Sequence, residues 1–299
     1  MITLDWRDAV PSDLEALYAR EQEYWLSELR WDASTAWREI EQARVTWGLP
    51  GYLALDGARL VRGWAYCLNE GETMHLGGIV SDTPEATGAL VDACLESSGP
   101  TPRRARVSCF TPDRAAALEP TLTGRGFGCE RYHYLHRRLA PDGGAFTADV
   151  WRDTDLPLAA RLLQDAYGAS GRHFAPGGRL EEWESYARSL VERPGCGVLE
   201  PAITRVLRAG TVMEALVLAT RIAPTTLHLA QVAVHPSRRR EGLARQLVEE
   251  ACRAGAARGA TEATLLVGDC NQGARALYAR MGFEERAQFV AGVLDVPPA

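Results

Sequence analysis

The chain of 299 residues has no lysine; all 33 of its Lys and Arg positions are arginine. Catalysis through a lysine Schiff base is thereby excluded. Cysteine is scattered, at positions 67, 94, 109, 129, 196, 252 and 270, in odd number and without metal-ligand spacing. Neither a disulfide framework nor a thiolate metal site is expected, and the thiols are expected to be mostly buried as small apolar groups. No apolar run approaches the roughly 20 residues of a membrane span. No apolar leader precedes Asp5, Arg7 and Asp8, so the expected setting is cytoplasmic. An excess of basic charge is also missing: the net charge is −6, which speaks against a nucleic-acid surface. The triplet Arg238, Arg239 and Arg240 is too short to change that reading, and its place before Gly242 favours phosphate groups instead. His133 and His136 have no acidic or Cys partners at ligand spacing, so no metal is expected there.

What remains is a globular composition long enough for two domains, each burying its own core. The order of elements runs twice. In the first half, residues 2–6 read as a strand, and Ser12 with Glu15 forms a capping-box pattern ahead of Leu14, Leu17, Tyr18 and Leu26. Residues 51–55 and 60–68 read as a hairpin turning at Asp56 and Gly57. A strand at 74–80, a helix at 86–96, a strand at 106–110, a helix at 113–123 and a strand at 131–139 follow. Six of the eight tryptophans lie within the first 64 residues, where core packing is the expected role of most. Pro141, Asp142, Gly143 and Gly144 read as a linker.

In the second half, residues 204–208 and 213–220 read as a hairpin, 227–234 as a strand and 243–258 as a helix. A strand at 263–267 and a helix at 273–281 complete the pattern. The halves align best toward their ends. Residues 89–96 match 246–253 with a one-residue slip, and Arg125-Gly126-Phe127 matches Met281-Gly282-Phe283. This points to a duplicated domain.

The stretch 227–249 carries the chemistry. A strand ends at His235 and Pro236, a basic loop with Gly242 follows, and a helix begins at Leu243. N–H groups at a helix start lack partners within the helix, and the helix dipole is positive there, so phosphate binds readily. Within this stretch, Arg239, Gly242 and Ala244 fit an R/Q-x-x-G-x-G/A loop. Further on, Asn271, Ala274, Leu277, Tyr278, Gly282 and Phe283 fit every fixed position of N-x-x-A-x-x-L-Y-x-x-x-G-F.

This pair of motifs resembles the GNAT N-acetyltransferases. The likeness covers the second half closely and the first by element order only. The layout is similar to that of tandem members such as the mycothiol synthase-like proteins, a comparison that bears on architecture alone. The resemblance implies an α/β (α+β) fold of two tandem GNAT-like domains, at 1–140 and 145–299, each a mixed twisted sheet flanked by helices. It also implies an acyl-CoA co-substrate, first of all acetyl-CoA, no metal, and direct transfer to an amine. Backbone groups of Val232, Ala233 and Val234 would pair with the pantetheine arm. Residues Arg239, Arg240, Glu241, Gly242, Leu243, Ala244 and Arg245 would hold the pyrophosphate, and Asn271 would contact the cofactor.

Such transfer needs a neutral amine, a stabilised carbonyl oxygen and a proton for the leaving thiolate. Tyr278 holds the family's usual tyrosine position and is expected to be the general acid, against the alternative that it only packs. His228, eleven residues before Arg239, is the expected base, against the alternative of a strand histidine with a satisfied partner. Glu214 and His173 are in reserve, and an amine arriving neutral needs no base. In the first half the counterparts of Tyr278 and Asn271 are Leu122 and Ala115, and residues 81–87 offer no phosphate loop. One cofactor site per chain is therefore expected. The expected acceptor is a small-molecule amine, its walls including Tyr167, Phe174, Trp183 and Tyr186. A protein or peptide acceptor and a silent acyl-CoA-binding module are the alternatives.

Overall fold

The computed structural model describes residues 1–70, 73–81, 83–97, 106–114, 117–141, 143–168, 176, 178–192 and 195–295. Two compact units emerge: one comprises residues 1–28, 33–133 and 287–299, the other 29–32 and 134–286.

The first unit runs β1 (Ile2–Asp5), α1 (Pro11–Glu28), α2 (Ser34–Trp47), β2 (Gly51–Leu55), β3 (Val61–Glu70), β4 (Thr73–Ser81), α3 (Pro84–Glu96), β5 (Arg106–Pro112) and α4 (Leu118–Thr123). β6 (Gly128–Arg138) begins in it. β1 to β4 are joined antiparallel, whereas β4 and β5, linked through α3, are parallel. Trp6 and Trp64 are wholly buried and stack at 6.0 Å; Trp37 meets Trp64 edge-on at 5.4 Å. The Trp6 indole N–H reaches the Leu49 carbonyl at 2.6 Å, so a large apolar ring is buried with its one polar atom satisfied. Trp47 is the exception among the early tryptophans, at 77% exposed. The helix expected from residue 113 begins at Leu118 instead, whose N–H is received by the Asp113 carboxylate at 3.3 Å.

The second unit repeats the scheme. It holds β7 (Asp149–Val150), α5 (Leu156–Tyr167), α6 (Leu180–Glu192), β8 (Val198–Leu199), β9 (Arg205–Ala209), β10 (Val212–Ala223), β11 (Thr226–Val234), α7 (Leu243–Ala256), β12 (Glu262–Gly268) and α8 (Gln272–Arg280). β7, β9, β10 and β11 are joined antiparallel, and β11 and β12 are parallel across α7. The apolar stripe read from the sequence packs as expected. Leu247, Ala251 and Gly255 of α7 are buried against the sheet, where a Cβ on Gly255 would stand 3.0 Å from the Leu227 side chain. Gly259, at φ 84°, ends the helix, with the Ala260 N–H returning to the Gly255 carbonyl at 3.0 Å.

The last strand, β13 (Glu284–Asp295), had no counterpart in the sequence reading. Its residues 289–295 run antiparallel to β5, so the end of the chain completes the sheet of the first unit.

Candidate functional site

β11 and β12 pair through only four positions, from Thr226 with Glu262 to Leu229 with Leu265. Both strands continue, β11 to Val234 and β12 to Gly268. The parting coincides with a bulge. Ala219 faces Leu229 and Leu218 faces Gln231, which leaves Ala230 as the extra residue. The N–H of His235 is bonded to the Glu214 carbonyl at 2.8 Å. Backbone groups alternate sides along a strand. Val232 and Val234 therefore turn their N–H and C=O away from β10, toward the edge that β12 has left. Ala233 turns its own to β10, and its side chain is buried among those of α5 and α6.

Beyond the strand, Pro236–Arg238 form one 3₁₀ turn and the loop closes on α7. Arg240 and Gly242 both take left-handed backbone, at φ 68° and 84°. That conformation costs a non-glycine residue roughly 1–2 kcal/mol, and the strain at Arg240 is held where a phosphate loop is expected. Space is not the reason for Gly242, since a Cβ there would meet nothing within 4 Å; its φ is. Gly242 caps α7 with no side-chain acceptor, so the first-turn N–H groups of Leu243, Ala244 and Arg245 remain available to an anion.

The charges of the loop are sorted. Arg238 pairs with Glu214 and, at 2.8 Å, with Glu241. The Glu241 carboxylate is held below its ordinary range by that hydrogen bond and charge, which keeps it from repelling an anion. Glu214, a reserve base in the sequence reading, is thus committed to fastening the loop. Arg239 donates to the Ala166 carbonyl at 2.8 Å. Arg240 and Arg245 are exposed and, among the described residues, have no acidic partner.

Tyr278 lies on α8, 6% exposed, its ring 5.8 Å from that of Phe283. Asn271 caps α8, its side-chain oxygen receiving the Ala274 N–H at 3.3 Å. His228 is enclosed: it is 3% exposed, its Nδ1 stands 3.0 Å from the Thr264 hydroxyl, and its ring lies 5.3 Å from Trp31 and 6.2 Å from Tyr134. Burial pushes its pKa down to about 4. His173 and Phe174 lie outside the described residues, as does Ala115. Cys109 and Cys252 are buried thiols pushed up to about 12 by desolvation, which makes them inert at neutral pH.

Two contacts at the open edge were not readable from the sequence. The Tyr167 hydroxyl donates to the Val232 carbonyl. The Gln231 amide donates to the Tyr186 hydroxyl at 2.5 Å, with Trp183 edge-on to Tyr186. Both tyrosines had been assigned to the acceptor walls only, because contacts across 65 and 45 residues leave no local trace.

Residues 164–283 match the model of the acetyltransferase (GNAT) family. None of the curated proteins compared with the chain matches it in sequence. Among solved structures, a GCN5-related N-acetyltransferase from Sphaerobacter thermophilus is similar at 17% identity and TM-score 0.69, over 100% of this chain and 96% of that one. A GNAT-family acetyltransferase from Colwellia psychrerythraea is similar at 13% identity and TM-score 0.56, over 99% and 100%. A tandem GNAT protein from the clavulanic acid biosynthesis pathway follows at 15% identity and TM-score 0.51, over 84% of each chain. Likeness at such identities is likeness of fold. With the family match and the strand–loop–helix geometry behind it, the segment 164–283 is a member of the acetyltransferase (GNAT) family.

Proposed function

We propose that this protein is an acyl-CoA-dependent N-acyltransferase, with acetyl-CoA the first choice of donor and the amine of a small molecule as acceptor. The observation that carries the reading is the open edge of β11 at Val232 and Val234, leading directly to the uncapped N-terminus of α7. A chain of amides ending in phosphates fits that succession. The edge offers the amides N–H and C=O groups, and the α7 start, with Arg240 and Arg245 beside it, offers the phosphates donors and positive charge.

The bound thioester supplies an activated carbonyl. The chain's own part is to place it and manage protons. Val232 N–H is aimed at the edge where the carbonyl oxygen would gather charge. The amine nitrogen bonds to the carbonyl carbon, the carbon–sulfur bond breaks, and the thiolate takes a proton from Tyr278. His228 is left out of this scheme as a base. A ring with pKa near 4, shut between Trp31, Tyr134 and Thr264, is neutral but weakly basic and out of reach. The amine's proton leaves to water, or the amine arrives neutral.

Titration calorimetry with CoA is expected to find one site per chain, and a thiol-release assay over a panel of amines to find turnover. Tyr278→Phe should lower turnover roughly a hundredfold while leaving CoA affinity nearly unchanged. Two equal sites would remove the single-site reading, and tight binding without turnover on any amine would make the protein a binding module.

A further inference from the structure

The last turn of α5 is tied to the cofactor seat by three consecutive residues. Tyr167 donates its O–H to the Val232 carbonyl. The Ala166 carbonyl receives Nη2 of Arg239 at 2.8 Å. Asp165 stands 3.7 Å from Nε2 of His235. All three ties run to residues 232–239, the end of β11 and the loop before α7.

In the acyl-CoA reading, on which this inference rests, two of these ties are made to groups that the cofactor claims. The Val232 carbonyl faces the edge left by β12, where an amide N–H of the incoming arm would need it as acceptor. Arg239 spends a guanidinium on a neutral carbonyl, although phosphate oxygens form bonds roughly twice as strong with such a fork. A ligand bearing both an amide arm and phosphates displaces both ties together. A phosphate alone has no claim on Val232.

We propose that residues Asp165, Ala166 and Tyr167 form a latch that occupies the cofactor seat in the free protein and is released when acyl-CoA enters. The Tyr167 phenol holds the place of an arm amide, and cofactor binding frees the end of α5.

The test is calorimetry on wild type and Tyr167→Phe with two probes: CoA, and 3′-phospho-ADP, which keeps the phosphates and lacks the arm. Removing the competing hydroxyl should tighten CoA roughly three- to tenfold and leave 3′-phospho-ADP unchanged. Unchanged or weaker CoA binding overturns the latch. So does equal tightening of both probes, since the effect would then not run through the Val232 seat. Hydrogen exchange on the wild type reads the same event without a variant. CoA should speed exchange in the last turn of α5 while protecting the first turn of α7, and protection of both turns would also overturn the latch. A wild type that binds neither probe would instead bring down the acyl-CoA reading, and the latch with it.

Discussion

In both units an antiparallel run of strands leads into a parallel pair that holds for four positions and then parts. In the first unit the pair is β4 and β5, from Thr73 with Arg106 to Leu76 with Cys109; in the second it is β11 and β12. Each parting follows a register shift. The units differ in what comes next. β11 is separated from α7 by residues 235–242, a loop that carries arginines and ends on an uncapped, left-handed Gly242. β4 ends at Ser81 and α3 begins at Pro84, with Thr83 accepting the Ala86 N–H at 3.2 Å. The first-unit helix thus satisfies its own start, and the second leaves donors for a ligand. The parting itself is also filled in the first unit. A Cβ on Gly77 would stand 2.2 Å from the Tyr66 ring. Ile79, Val80, Pro112 and Arg114 border a cavity of about 10 Å³, enough for roughly one water. Sheet geometry alone does not make a cofactor site; the end of the strand does.

That contrast can be broken in three places, the largest effect first. In the first unit Arg114 donates to Glu21, a fully buried carboxylate, at 2.9 Å, and lies over the Tyr24 ring. Arg114→Met strands that charge and is expected to cost about 3–5 kcal/mol in denaturant unfolding with CoA affinity unchanged. A loss of CoA binding in a folded variant would show that the first unit contributes to the site.

His228 tests the second unit. Its folded pKa, near 4, lies below the 6.5 of an exposed imidazole. Above pH 6.5 the ring is neutral in both states and contributes nothing. As the pH falls toward 4, the unfolded chain binds a proton that the buried ring refuses, and about 3 kcal/mol of stability is lost. Unfolding of wild type and His228→Asn at pH 7 and 4.5 should show a shallower loss in the variant, and turnover at pH 7 should survive. Equal pH slopes would sink the burial argument; abolished turnover in a folded variant would restore His228 as the base.

The smallest effects form a matched pair. Gly242→Ala forces a side chain into φ 84° at a cost of roughly 1–2 kcal/mol, which should weaken CoA about 5- to 30-fold. Thr83→Ala removes the cap of α3, which should cost about 1 kcal/mol of stability and leave CoA binding alone. If the two substitutions exchanged phenotypes, the comparison between the helix starts would be wrong.

Local signals were read well. The i, i+4 stripe of Leu247, Ala251 and Gly255 put α7 on the sheet, and the turn at Ala209 and Gly210 joined β9 to β10. Gly259 and Gly282 sit where helices stop, both at positive φ. Each depends on a few neighbouring residues, so the pattern and its physical cause lie together in the chain. The motif assignment of Asn271 located the right helix start, while the structure showed its side-chain oxygen already engaged in capping α8. Less was visible for α2, where no cap side chain marks the start, and for β13, whose partner β5 lies far back in the chain.

The sequence by itself determined the duplicated order of elements, the glycine that only a left-handed turn requires, and the cluster of arginines ahead of a helix start. Tertiary structure alone decided which groups are open. It committed Arg238 to Glu214 and Glu241, closed His228 away from water, returned residues 289–295 to the first unit, and set Tyr167 on the Val232 carbonyl. Burial and partnership depend on segments distant in sequence meeting in space, and no local spacing encodes them.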